Sequence, residues 1–149
     1  MSEKVQSADL ILKLYDLRRE EKMRNARSWM TPFFPESAMD IIQAMVNPET
    51  SDKFRMVATY WDMAASFVNH GAIDEEMFDD AVGEHLIVFA KVQPYLAEVR
   101  QLMGNPKFLA NLEKLAMNRP AAAEQLAARR EMMKRWMEAR AELAKGGGE

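Results

Sequence analysis

The sequence has no cysteine, only two histidines, and no apolar run near the roughly 20 residues that a membrane-crossing helix needs. Without thiols there can be no zinc–thiolate site, no thiol nucleophile and no disulfide, a composition that fits a reducing cytosol. The opening residues lack the basic, then apolar, then small pattern of a secretory leader. The chain therefore reads as cytoplasmic and not membrane-bound. Gly-rich phosphate loops, nucleophile elbows and dinucleotide fingerprints are missing. So are the paired Glu-x-x-His motifs of a carboxylate-bridged dimetal bundle. No catalytic, cofactor-binding or metal-ligating set emerges, and the chain reads as non-enzymatic.

What is present is helical periodicity, most clearly between Thr59 and Phe89. Phe54, Val57, Ala58, Trp61, Ala64, Ala65 and Val68 recur at the spacing that lines one face of a helix. Met56, Tyr60, Met63 and Phe67 form a second row, so this helix is expected to be covered on at least two sides. Gly71 stands where a helix end wants positive φ. Asp74 is placed to cap the next helix, with Glu75 and Glu76 in its first turn. Phe78, Val82, His85, Phe89, Val92, Leu96, Val99 and Met103 then alternate by four and three, which suits near-antiparallel packing. The expectation is an all-α bundle of about five to six helices, centred on an antiparallel hairpin over about 52–70 and 75–103.

Around that hairpin, Ser7 is a plausible cap for a first helix with an inner row of Leu10, Ile11, Leu14 and Leu17. Five basic and two acidic residues lie between Arg18 and Arg27, a solvated helix face or, as a sharper alternative, a phosphate-contacting patch. The segment from Trp29 to Pro35, with two prolines and three aromatics, should break the helix and either plug the bundle or line a pocket. A short helix capped by Ser37 should face Met39, Ile42 and Met45 or Val46 inward. Pro94 should kink the long helix, and Phe108, Leu109, Leu112 and Leu115 mark another short one. Residues 1–120 thus read as the bundle domain and 121–145 as a C-terminal amphipathic helix, packed or extended, with 146–149 a disordered tail.

Charge is unevenly spread. Residues 36–90 carry 11 acidic and 2 basic side chains, whereas 91–149 carry 11 basic and 7 acidic. Such a distribution favours contact between middle and flanks, within one chain or across a dimer. Thirteen methionines mostly serve the core, but Met132, Met133 and Met137 around Trp136, with Arg140, are a candidate protein interface. His70 reads as a helix-end cap. His85 interrupts an apolar row and could meet Asp62, Ser66 or Tyr60, as a hydrogen-bonded core residue or as part of a pocket. That candidate pocket comprises His85, Asp62, Tyr60, Trp29 and Phe33. The acidic group from Asp74 to Asp80 reads as a helix start rather than a cation site.

The run Tyr60-Trp61-Asp62-Met63-Ala64-Ala65, then Gly71-Ala72-Ile73-Asp74 and Phe78, with Pro94 and Arg100 downstream, resembles an uncharacterised bacterial family of small helical proteins. The resemblance spans about Leu10 to Arg100. It implies an all-helical fold and carries no assigned activity, cofactor or site. Some related proteins have an N-terminal membrane anchor, from which this chain departs. Taken together, the sequence points to a self-associating interaction or assembly module, a homodimer or a partner of another protein, with a small-ligand-binding or enzymatic bundle as the alternative. Nucleic-acid binding through Arg18 to Arg27 ranks last.

Overall fold

A computed structural model describes residues 2–147. Among them the ordered elements are α1 (Glu3–Leu17), α2 (Glu21–Met30), α3 (Ala38–Val46), α4 (Ser51–Asn69), α5 (Glu75–Ala81), α6 (Glu84–Val92), a 3-10 turn (Gln93–Tyr95), α7 (Leu96–Met103), α8 (Ala110–Met117) and α9 (Ala122–Gly146). The chain is all-helical, but the expected set of five to six helices is too coarse.

One face of the central helix is as anticipated, with Phe54, Val57, Ala58, Trp61, Ala64, Ala65 and Val68 all buried along α4. Of the second row, however, only Tyr60 is buried; Met56 is half-buried, and Met63 and Phe67 are exposed. It ends in a Schellman cap, where the Gly71 amide donates to the Val68 carbonyl and the Ala72 amide to Phe67, with Gly71 at φ 82°. Asp74 caps α5 through its bond from the Met77 amide.

The second arm of the hairpin is corrected. Residues 75–103 are not one kinked helix but three, broken at Val82, which is extended at φ −135° and ψ 134°, and again at Gln93–Tyr95 around Pro94. Gly83, a poor helix former, lets the chain turn between the first two. The closest backbone neighbours of α4 are therefore α2 and α8, while α6 packs on α8 and α9. Even so, Phe78, Val82, His85, Phe89, Val92, Leu96 and Val99 are all buried. Each short helix keeps its own apolar face on the core although the shared axis is lost.

Three smaller expectations also shift. Ser2, not Ser7, caps α1; Ser7 is buried and its hydroxyl accepts from the Asp74 amide, pinning α1 to the start of α5. The basic stretch does not prolong α1, because Glu20 accepts from the Met23 amide and opens a new helix, α2. Along α3 the inward residues are Ala38, Ile41, Ala44 and Met45, whereas Met39 and Val46 are exposed. That helix is apolar on most sides, so periodicity alone does not choose its face. Helix α9 runs through Gly146, into the segment expected to be a disordered tail; residues 148–149 lie outside the described range.

Candidate functional site

The five residues proposed as a pocket are not brought together in one cavity. Tyr60 is buried and its hydroxyl donates to the Leu14 carbonyl, with burial pushing its phenol up to about 12. Asp62 accepts from the Leu112 amide at 2.9 Å and from the Asn111 side chain at 3.3 Å. It thereby caps α8, whose own first residue outside the helix is the apolar Leu109. Trp29 and Phe33 stack at 4.8 Å and meet Phe54 edge-on, plugging that end of the bundle.

His85 is 1% exposed, between the Phe78 and Trp61 rings at 5.0 and 6.0 Å. The partners anticipated for it are engaged elsewhere, and neither ring nitrogen has a hydrogen-bond partner. Burial, with Arg119 and Arg129 adding to it, lowers His85 to about 4, so it is a neutral core residue at pH 7. His70 does what a helix-end histidine is expected to do: its Nδ1 bonds the Ser66 carbonyl at 2.8 Å.

The built polar site lies instead around Glu84, at the first turn of α6. Arg27 Nε lies 3.1 Å from both Glu84 oxygens and its Nη2 is 2.9 Å from Oε1, a bidentate clamp. The Trp61 indole donates to the same carboxylate at 3.0 Å, and Arg18 approaches it at 4.0 Å while lying over the Tyr15 and Trp61 rings. Bonding to Glu84 raises the Arg27 guanidinium above its ordinary value. Two cations of the supposed phosphate patch are thus turned inward as structural clamps.

Beside this cluster a cavity of about 190 Å³ opens between α2, α6 and α9. Its walls are mostly apolar, with Met30, Val57, Val88, Met133, Trp136 and Met137 among them. One face of α6 supplies Glu84, Val88 and Lys91 at helical spacing. Lys91 is only 3% exposed and donates to the Met30 and Thr31 carbonyls at 2.5 and 3.0 Å, at the C-terminal end of α2. Burial lowers its ammonium to about 8, against a raising influence from Glu84. Sequence reading passed over Lys91, although a lone charge inside the apolar run Leu86 to Val92 is the signal that marks it.

The candidate interface residues fall on α9. Leu126 is buried and Arg130 ties the helix to the end of α6, donating to the Ala90 carbonyl at 3.0 Å and to Gln93 at 2.8 Å. Met133 is half-buried, and beyond it every described residue is exposed. Met133, Trp136, Met137 and Arg140 line the cavity from that side, and Met132 faces solvent.

The fold is an all-α bundle of mostly short helices, and the longest of those described, α9, is exposed throughout beyond Met133. No group of three or more potential metal ligands occurs among the described residues, and no helix there is long and apolar enough to cross a membrane. The chain belongs to the family described as a domain of unknown function, DUF4760, which matches residues 4–118. The match takes in α1 to α8 and stops before α9. No curated protein and no solved structure matches the chain.

Proposed function

We propose that the chain is a non-enzymatic assembly module of the cytoplasm that pairs with a second copy of itself through the far part of α9. The observation that carries this reading is that helix after Met133. Over its last turns nothing is buried, yet Trp136 is 66% and Leu143 76% exposed. A helical stretch of that length is marginal in water by itself, and large apolar side chains on it are costly to leave wet. Met132, Trp136, Ala139 and Leu143 recur by four, three and four, the spacing of a helix-pairing seam.

A second copy fits as the occupant for two reasons. The seam is flanked by charges of both signs, Arg135 and Lys145 with Glu138 and Glu142, which an antiparallel pair can match across a two-fold axis. In addition, α9 is net basic while residues 36–90 are strongly acidic, so the arm of one copy is also drawn to the acidic body of the other. The family match ends at residue 118, before α9.

Light scattering on the full chain and on one ending at Lys134 tests this. The shortened chain keeps Leu126, Arg130 and Met133, so it retains every packed residue of α9. The full chain is expected to have twice the monomer mass and the shortened one the monomer mass, with unchanged helicity per residue in the bundle. Two monomers at every concentration would refute the reading.

A further inference from the structure

The cavity beside Lys91 is better suited to a ligand than to water alone, and its chemistry is specific. Lys91 is buried with no carboxylate within 4.0 Å among the described residues. An ammonium has three donors, and the two carbonyls at the end of α2 use two of them. Capping a helix end does not require such burial, since an exposed lysine serves the last carbonyls as well. Removing a cation from water without a counter-charge is expensive, which makes this an arrangement awaiting an anion.

The remaining charges agree. Glu84 is matched by Arg27 and approached by Arg18, which leaves Lys91 and, at the α9 wall, Arg140 as uncompensated cations on the cavity. Apart from Thr31, the other walls are methionine, valine, isoleucine and aromatic side chains, which offer contact area and few polar groups. A volume of about 190 Å³ corresponds to about six waters of liquid, or to an organic molecule of about ten heavy atoms.

We infer that this cavity is a binding site for a small amphipathic monoanion, a carboxylate with a short aliphatic or aromatic body. The carboxylate meets the free donor of Lys91 and the guanidinium of Arg140, and the body lies among Met30, Val88, Met133 and Met137. Filling the cavity would also bridge α6 to α9, seating the part of that helix that now lacks packing. This goes beyond the pairing proposed above and uses the inner row of α9, which shares Trp136 with its outer seam.

Calorimetric titration of the full chain with octanoate, octanol and octylamine tests it. Octanoate is expected to bind with a dissociation constant of about 0.1–1 mM, in keeping with its size. Octanol should bind at least about tenfold more weakly, because it forgoes a charged hydrogen bond, and octylamine weaker still. Lys91→Met should bring octanoate down to the level of octanol, while Arg140→Gln, at an exposed position, should weaken it a few-fold and leave folding intact.

A pH series gives a readout that needs no variant. From about pH 7 to about pH 9.5 octanoate affinity should fall as Lys91, which shares the cavity with Glu84, Arg27 and Arg140, loses its proton. Leu143→Glu, which strikes only the pairing seam, should leave octanoate binding unchanged, so the two proposals can fail separately. Equal affinity for octanoate and octanol, octanoate binding that survives both Lys91→Met and the rise in pH, or no binding of any probe at about 5 mM would overturn the inference.

Discussion

His85 illustrates how one buried group sets a pH response. Its folded value of about 4 lies below the ordinary 6.5, so between those limits the unfolded chain binds a proton that the folded chain refuses. Stability is therefore unaffected by this group above about pH 6.5 and falls as pH drops toward 4, by about 3 kcal/mol in total. His85→Leu, of similar size and without orphaned ring nitrogens, should be more stable at pH 7 by about 1–3 kcal/mol and should flatten the acid limb. Urea unfolding at pH 7 and pH 5 measures both. Asp62 has a different task, visible only in space: Asp62→Ala should cost about 1–2 kcal/mol through lost capping of α8, with the Leu112 amide left bare. Glu84→Ala should cost at least about 2 kcal/mol, because Arg27 and Trp61 both lose their acceptor.

Helix ends distinguish two glycines that look alike in the sequence. Gly71 is at φ 82° in the cap of α4, where a side chain is strained whatever the free space, so Gly71→Ala should destabilise by about 1 kcal/mol. Gly83 has negative φ and open space around the position a Cβ would take. Gly83→Ala should therefore be neutral or stabilising by up to about 1 kcal/mol, by restricting the unfolded chain. Thermal unfolding of the two variants side by side separates strain from entropy. The same comparison explains why the 75–103 arm misled: Pro94 announces its break, but Gly83 breaks a helix only because α5 and α6 each find their own place on the core. On α3, apolar residues on most sides leave the inward face to the neighbours, α4 and α7.

For the assembled molecule, pairing through α9 makes stability depend on concentration. The thermal midpoint of the full chain should rise with protein concentration, while that of the chain ending at Lys134 should not. Scanning calorimetry over a hundredfold range, about 10 µM to 1 mM, reads this directly. By itself the sequence determined the helical class, the central helix, the caps at Gly71 and Asp74 and most core residues from Phe54 to Val99, though not Leu86, Val88 or Ala90. Those features rest on periodicity and cap chemistry, which act within a few residues of one another. Only the tertiary structure decided that Asp62 caps a distant helix, that Arg18 and Arg27 turn inward to Glu84, and that Tyr60, His85 and Trp29 belong to different surroundings. It alone placed Lys91 between the end of α2 and the wall of α9. These are encounters between groups up to 66 positions apart, as in Arg18 with Glu84, and local spacing carries no information about which distant group will meet a given charge.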